Sequence, residues 1–339
     1  IWYTGVPHHD VIRDYTKYGI SNDDPDVVKG RAGSPYAVKD YYNVNPDLAV
    51  KVIIDIVPNH VARNYEGLTN PEGIKDFGAE DDVSVEYDVN NNFYYVPNKA
   101  FEVPDFVNDY QPLGGEENAL SDHKFDEKPA KWTGNGSRSP KPNSNDWYET
   151  VKINYGISPD GKKDFDALPA GFENEDYKKH FEFWQDKTVP NSWIKFRDIA
   201  LYWLEKGVDG FRFDMAEMVP VEFWSFMNSA IKMNNSEAFL LAEVYNPSLY
   251  RDYIRKGKMD YLYDKVQLYD TIKHVMQGHG LTDNIPPIQE DLKDIEHNML
   301  HFLENHDEQR IASQKTLVLG VQVEPQFLIM LECQVCKDG

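Results

Sequence analysis

The segment Gly207–Glu217 constrains this sequence more than any other. It reads Gly-Val-Asp-Gly-Phe-Arg-Phe-Asp-Met-Ala-Glu and follows Ser192–Lys206, where large apolar side chains recur at helical spacing behind a serine N-cap. Gly207 suits a helix C-cap, so a helix ends there and a strand begins. Because side chains alternate along a strand, Phe211 and Phe213 point to one face.

The opposite face of this strand carries Arg212 and Asp214. Charged groups are costly to bury unless they are paired or used. An active site and a structural ion pair both explain the two charges, and this segment alone does not separate the two interpretations. Other segments of the chain bear on the choice.

Composition excludes several classes of protein. The chain has 339 residues, 41% of them hydrophobic and 13% aromatic, which indicates a globular protein of one barrel-sized domain or two ordinary domains. A net charge of −22 argues against nucleic acid or an anionic membrane as a partner. Cys333 and Cys336 form one C-x-x-C without a second pair, so no zinc site is predicted. A cytoplasmic enzyme and a secreted one that has lost its signal peptide remain equally compatible.

The first 60 residues contain one clear strand. Ile1–Gly5 is typical of a strand end, and Val6–Asp47 is predicted to be a long loop because Pro and Gly interrupt it. Lys51–His60 is an apolar, β-branched run that Pro58 stops. This pattern predicts a parallel strand covered on both faces.

The next 130 residues differ from the rest of the chain. Between Val61 and Pro190 no helical period persists, and the composition predicts a large insertion with short strand-like pieces. After Pro190, helical and strand patterns alternate, which indicates a parallel sheet that is either open or closed into a barrel.

Polar and ionisable residues follow four of the predicted strands. They are Asn59 and His60, Arg212 and Asp214, Glu243, and His306 and Asp307. The carboxyl ends of parallel strands meet at one edge, where active sites of α/β proteins form. Carboxylates with Arg and His suit acid/base cleavage of an acetal, and a metal-dependent hydrolase is the rival interpretation.

Four segments resemble the signature regions of the α-amylase family, glycoside hydrolase family thirteen, in the same order. They are Asp55–His60, Gly210–Asp214, Ala242–Glu243 and Phe302–Asp307. The resemblance implies an α/β fold, a (β/α)8 TIM barrel formed by residues 1–60 and 190–312. It also implies that residues 61–189 form an enlarged B domain after strand three, and residues 313–339 remain as an atypical tail.

The resemblance also implies roles for individual residues. Asp214 corresponds to the nucleophile, Glu243 to the acid/base and Asp307 to the carboxylate that holds the transition state. Arg212 would keep Asp214 ionised through a charge-assisted contact. His60 and His306 would hydrogen-bond the hydroxyls of the sugar being cleaved.

Further positions belong to the surroundings of the implied site. Tyr36 matches the tyrosine that stacks on the sugar, with packing inside a loop as the alternative. Asp40, Asp55 and Asn59 would support the site structurally. No cofactor is required by this resemblance, although it allows a calcium ion with Asn59 among its ligands.

The chain departs from the family pattern in two respects. Asp214 is followed by Met215 and Ala216, whereas the family continues into a Lys-His pair. A first strand and helix, a second helix and an eighth strand are not evident in the sequence. We therefore expect an incomplete barrel from a longer enzyme.

The expected function is retaining hydrolysis of α-1,4-glucosidic bonds in starch or maltooligosaccharides. An α-glucosidase or a transglycosylase would use the same chemistry, and a non-catalytic carbohydrate-binding protein or inactive fragment is the alternative from another class. Five aromatic residues of the insertion are candidates for sugar platforms, with core packing favoured for each: Phe93, Tyr94, Tyr95, Trp132 and Trp147.

Overall fold

The computed structural model describes residues 7–9, 14–16, 38–44, 52–67, 70–105, 123–305 and 307–308. The chain divides into two compact units, Ile1–Val52 and Ile53–Gly339. The predicted strand end at Ile1–Gly5, Tyr36, His306 and the tail 313–339 lie outside the described residues. The predicted domain boundaries near residues 60 and 190 stay a prediction.

The smaller unit contains a strand pair where a long loop was predicted. β1 (Pro7–His9) pairs antiparallel with β2 (Val38–Val44), and Asp40 of β2 lies opposite His8. The loop prediction is therefore wrong for these two segments. Residues 38–44 are rich in β-branched and aromatic side chains, whose strand propensity outweighs the Pro and Gly residues around them.

The larger unit alternates strands and helices in its second half. Its described strands are β3 (Ile53–Ile56), β4 (His60–Ala62), β5 (Tyr95–Val96), β6 (Ala130–Lys131), β7 (Thr150–Lys152), β8 (Gly210–Phe213), β9 (Phe239–Ala242), β10 (Tyr261–Tyr263) and β11 (Met299–Leu300). Its described helices are α1 (Tyr177–Trp184), α2 (Asn191–Glu205), α3 (Val221–Asn234), α4 (Tyr250–Arg255), α5 (Asp270–Met276) and α6 (Ile285–Leu292). A five-stranded parallel sheet has the order β11-β10-β9-β8-β3, so the predicted parallel α/β class is confirmed.

The core of this unit is built on β8. Phe211 and Phe213 are fully buried on one face, as their period-two spacing predicts. Gly210 begins the strand so close to β9 that a Cβ atom there would lie 2.1 Å from the Phe239 carbonyl oxygen. Helix α3 begins after Pro220 as expected and packs against α2. The position of β8 is therefore fixed by its buried face and by its close approach to β9.

β3 is less buried than its sequence suggests. Val52, Ile53 and Val57 are 53%, 36% and 40% exposed, and β8 is the one strand partner of β3 among the described residues. The prediction of a strand covered on both faces is therefore wrong. A run of apolar residues predicts a strand but does not say whether the strand is central or at an edge of the sheet. β3 lies at the edge of the described sheet.

The described part of the insertion contains an α-helix that the sequence pattern did not reveal. Helix α1 has only eight residues, and its N-cap Asp176 accepts hydrogen bonds from the backbone of Lys178 and Lys179, both at 3.0 Å. It buries His180 and Trp184 against α3. Two turns are too short to establish a helical period within a polar segment. The prediction of a helix-free insertion is therefore wrong at its end.

No helix within the described part of the chain is long and apolar enough to cross a membrane.

Two methionines on α3 provide a test of the core. Met227 is 1% exposed and Met233 is 46% exposed. We expect Met227→Ala to lower the free energy of unfolding by about 2–5 kcal/mol, because a cavity is left in the core. Met233→Ala is the matched control and should change it by less than about 0.5 kcal/mol. Urea unfolding measures both, and equal effects would contradict the packing of α3.

His180 predicts how stability depends on pH. Its Nε2 donates to the Phe172 carbonyl oxygen at 2.8 Å, and its Nδ1 lies 2.7 Å from Ser225 Oγ. Burial lowers the pKa of His180 from 6.5 to about 4. As the pH falls, His180 is protonated in the unfolded chain before it is protonated in the folded chain. The free energy of unfolding should therefore decrease between pH 6.5 and pH 4, by about 3 kcal/mol in all.

The measurement is urea unfolding across this pH range for the wild type and two variants. His180→Gln should flatten the pH dependence in the window, because glutamine does not titrate. His279→Gln, at an exposed position, is the control and should keep the wild-type slope. An unchanged slope in His180→Gln would contradict the assignment.

Candidate active site

The carboxyl ends of β3, β8 and β9 lie side by side. Asp55 of β3 is in register with Arg212 of β8. Beyond the strands, the Asp214 amide donates to the Ile56 carbonyl oxygen at 2.9 Å, and the Glu243 amide donates to the Phe213 carbonyl oxygen at 3.0 Å. Backbone pairing therefore brings charged side chains from three strands to one edge of the sheet.

Arg212 is the centre of this cluster. Its Nη1 lies 3.1 and 3.0 Å from the two carboxylate oxygens of Asp55 and 2.6 Å from Asp214 Oδ1. Its Nη2 lies 3.2 Å from Glu243 Oε2. One planar guanidinium thus contacts three carboxyl groups, a geometry that a lysine ammonium does not reproduce.

Exposure differs strongly among these side chains. Arg212 and Glu243 are 7% and 8% exposed, whereas Asp214 is 24% and Asp55 is 49% exposed. Burial by itself lowers the pKa of Arg212, but the hydrogen bond to Asp214 and the charges of Glu243 and Asp55 outweigh it and raise that pKa. The guanidinium therefore stays charged, and Asp214 is the more accessible of the two candidate catalytic carboxyls.

Glu243 is held by further contacts. Its Oε2 accepts a hydrogen bond from the Met215 amide at 3.0 Å, and its Oε1 accepts one from the Tyr245 hydroxyl. Burial, the bond to Glu243 and the charges of Glu243 and Asp307 raise the pKa of Tyr245, so this hydroxyl keeps its proton. Glu243 is consequently fixed in orientation by two donors and a cation.

His60 lies close enough to Asp214 to feel its charge. Burial is the largest influence on its pKa and lowers it, while the charge of Asp214 acts in the opposite direction. The ring makes an edge contact with Trp147, with centroids 5.5 Å apart, and its Nδ1 is 3.1 Å from Asn59 Nδ2. His60 therefore belongs to the same cluster of side chains.

Asp307 reaches the cluster from the segment after β11. It is exposed, its amide donates to Asn305 Oδ1 at 2.9 Å, and its charge raises the pKa of Tyr245. The next residue, Glu308, lies 2.9 Å from both Lys265 and Lys273. Ion pairs thus anchor the segment that carries Asp307.

The structure brings together most of the predicted site residues: Asp55, His60, Arg212, Asp214, Glu243 and Asp307. Tyr36 and His306 lie outside the described residues, and Asp40 belongs to the smaller unit. Sequence reasoning missed Tyr245 and the partnership of Asp55 with Arg212. The partnership was within reach, because both residues lie at the ends of strands that pair in register.

Aromatic residues of the insertion mainly form its core. Phe93, Tyr94, Tyr95 and Trp132 are 2–6% exposed. Trp132 stacks on Tyr94 with centroids 4.5 Å apart and carries Arg138 over its ring at 4.4 Å. Core packing, the favoured interpretation, is therefore confirmed for these four. Trp147 is 37% exposed beside His60.

The residues around Asn59 do not fit a calcium ion. Asn59 Oδ1, the oxygen that the resemblance assigns to such an ion, accepts a hydrogen bond from Lys152 Nζ at 2.5 Å. Calcium is held by six to eight oxygen atoms, many of them from carboxylates. In the part of the chain that the structure describes, no group of three or more His, Cys, Asp or Glu side chains could hold a metal.

The fold and site define an α/β protein whose ionisable groups meet at the carboxyl edge of a parallel sheet. The family model for the catalytic domain of alpha amylase matches residues 136–324, more than half of the chain. The chain belongs to the α-amylase family.

Curated relatives match over shorter stretches. An alpha-1,4-glucan:maltose-1-phosphate maltosyltransferase from Chlorobaculum tepidum is 30% identical over 133 residues, which is 39% of this chain and 18% of that protein. One from Cereibacter sphaeroides is 31% identical over 104 residues, 30% of this chain and 16% of the relative. An amylopullulanase from Thermoanaerobacter thermohydrosulfuricus is 31% identical over 123 residues, 33% of this chain and 7% of the relative. The chain thus matches less than a fifth of the length of each.

Solved structures give more distant matches. An α-amylase from Lactobacillus plantarum is 19% identical with a TM-score of 0.41, covering 91% of this chain and 57% of that one. A cyclic alpha-maltosyl-(1→6)-maltose hydrolase from Arthrobacter globiformis, in complex with its cyclic sugar, is 14% identical with a TM-score of 0.45, covering 85% of this chain and 53% of that one.

Replacement of Arg212 tests the centre of the site. We expect Arg212→Lys to lower the free energy of unfolding by about 1.5–3 kcal/mol, because one ammonium leaves buried carboxyl oxygens without a charged donor. Arg197→Lys, which affects the half-exposed pair with Asp198, is the control and should change it by less than about 0.5 kcal/mol. Urea unfolding at neutral pH compares them. Similar losses in both variants would argue against a special role for Arg212.

Proposed function

We propose that the chain is the catalytic part of an enzyme that cleaves α-1,4-glucosidic bonds in starch or maltooligosaccharides with retention of configuration. The observation that carries the proposal is the contact of one guanidinium, Arg212, with both Asp214 and Glu243. A retaining enzyme needs its two carboxyl groups about 5–5.5 Å apart. Two carboxyls on a single guanidinium favour this short separation over the wider one of inverting enzymes.

In the first step Asp214 attacks the anomeric carbon of the bound sugar. Glu243 gives a proton to the glycosidic oxygen as the bond to the leaving sugar breaks, and a glycosyl ester of Asp214 forms. In the second step a water molecule attacks the same carbon and passes its proton to Glu243. The ester bond breaks and Asp214 is regenerated as a carboxylate.

The surrounding residues have supporting roles in this proposal. Arg212 holds Asp214 through a charge-assisted hydrogen bond, and the Tyr245 hydroxyl and Met215 amide orient Glu243. Asp307 stabilises the positive charge that develops on the sugar. His60 and His306 bind its hydroxyls, and Tyr36 stacks on its ring.

The family also supplies the proposed architecture. Residues 1–60 and 190–312 would belong to the (β/α)8 barrel, with residues 61–189 as the B domain and 313–339 as an atypical tail. The antiparallel pair β4–β7 joins the first residues of the insertion to residues 150–152 within it. This supports a B domain that begins directly after His60.

Transfer to a second sugar is the other candidate reaction. The relatives from Chlorobaculum tepidum and Cereibacter sphaeroides are named as maltosyltransferases that use maltose 1-phosphate. In a transferase, a glucan hydroxyl replaces water in the second step. The same Asp214 ester serves both reactions, so the acceptor decides between them.

Product analysis of two variants tests the proposal. Incubation of the purified chain with maltoheptaose should give shorter oligosaccharides, and Glu243→Gln should lower kcat by about 10²–10⁴-fold with little change in KM. Asp214→Asn should lose activity to a similar or greater extent. Glu205→Gln and Asp198→Asn, both on α2, are the controls and should retain wild-type rates.

A second incubation distinguishes transfer from hydrolysis. Maltose 1-phosphate with a glucan acceptor should release phosphate and lengthen the acceptor only if the chain is a transferase. Near-normal turnover in Asp214→Asn would overturn the catalytic assignment. A folded wild-type chain that binds maltoheptaose without cleaving it would favour the non-catalytic alternative.

A further inference from the structure

A lysine ammonium occupies the position next to Asn59 where the family resemblance allows a calcium ion. Asn59 is fully buried directly after β3, and its Oδ1 accepts from Lys152 Nζ at 2.5 Å. Lys152 is the last residue of β7 and is half-buried. Hydrogen bonds with a charged donor are shorter and stronger than those between neutral groups.

The other polar groups of Asn59 are also occupied. Nδ2 donates to the Gly134 carbonyl oxygen at 3.0 Å and lies 3.1 Å from His60 Nδ1. The Asn59 carbonyl oxygen accepts from the Ile153 amide at 3.1 Å. One buried amide therefore connects the end of β3 with β4, with the end of β7 and with the loop at Gly134.

These contacts lie at the base of the insertion. In the pair β4–β7, His60 is opposite Lys152 and Ala62 is opposite Thr150. The pair therefore encloses residues 63–149 of the insertion. The cation that contacts Asn59 Oδ1 therefore also ties the insertion to the end of β3.

We propose that the Lys152 ammonium is a built-in cation that ties the base of the insertion to the end of β3, so that this junction folds without a divalent metal ion. Calcium needs direct contacts with oxygen atoms, and the contact at Asn59 Oδ1 is already made by Lys152 Nζ. The Gly134 carbonyl oxygen is likewise engaged by Asn59 Nδ2. A calcium ion would have to displace Lys152.

Electrostatic repulsion also disfavours a calcium ion beside Lys152. Two cations a few ångströms apart repel each other strongly in a poorly solvated site. Lys152 and His60 both contact the Asn59 side chain, whose Nδ2 lies 3.1 Å from His60 Nδ1.

The first test uses the wild-type chain and does not depend on glycosidic activity. The chain is dialysed against EDTA, its residual calcium is measured by atomic absorption, and its Tm is followed during titration with calcium chloride. We expect a Tm that calcium does not change and no saturable heat in calorimetric titration. A saturable rise in Tm with calcium would overturn the proposal, whatever the outcome of the activity assays.

The second test removes the ammonium. Lys152→Met keeps the length of the side chain, and we expect it to lower Tm by about 5 °C, since a charged hydrogen bond is lost and Asn59 Oδ1 stays buried. Lys162→Met is the matched control, because Lys162 is 72% exposed and pairs with Asp164 at the surface. Equal shifts in the two variants would overturn the proposal. If Lys152→Met does not fold, the calcium titration of the wild type still decides.

Discussion

The site depends on Arg212, one guanidinium in contact with three carboxyl groups. A buried cation of this kind is stable only where every neighbour is in place, because removal of one partner leaves uncompensated charge. The in-register pairing of β3 with β8, and of β8 with β9, supplies those neighbours. Strand register is in turn fixed by the apolar side chains Phe211 and Phe213 on the opposite face of β8, since a shift of one residue would exchange the two faces. The hydrophobic core and the candidate site therefore lie on opposite faces of the same strand, β8.

The elements that the sequence predicted well have a strong local signal. Helix α2, β8, α3 and β9 follow one another with clear periods, with a proline before α3 and a glycine after α2. The predicted serine N-cap of α2 is wrong, because α2 begins at Asn191 after Pro190 and Ser192 is buried in its first turn. The strand-end charges were predictable for the same reason, because period two and parallel pairing together bring them to one edge. Gly207, with a φ of 90°, adopts the left-handed conformation expected after a helix.

The remaining features depend on contacts between distant parts of the chain. Lys152 and Asn59 are 93 positions apart, and no local pattern connects them. Nothing in the local sequence distinguishes Tyr245 from the other aromatic residues. Its role becomes visible only in the folded structure, where the Tyr245 hydroxyl donates a hydrogen bond to Glu243. The exposure of β3 depends on its place in the sheet, and helix α1 depends on burial of His180 and Trp184 against α3 rather than on its own propensity.

The departure of this chain from the family pattern after Asp214 follows from the same packing. Met215 has a φ of 46°, a left-handed conformation that costs a non-glycine residue on the order of 1 kcal/mol, and in this conformation its amide reaches Glu243 Oε2. Ala216 is fully buried, its amide donates to the Glu243 carbonyl oxygen and its own carbonyl accepts from Trp224. A histidine ring would not fit at Ala216 without displacing that packing. Met215 and Ala216 contact Glu243 through their backbone amides, so these two contacts do not require a particular side chain at either position.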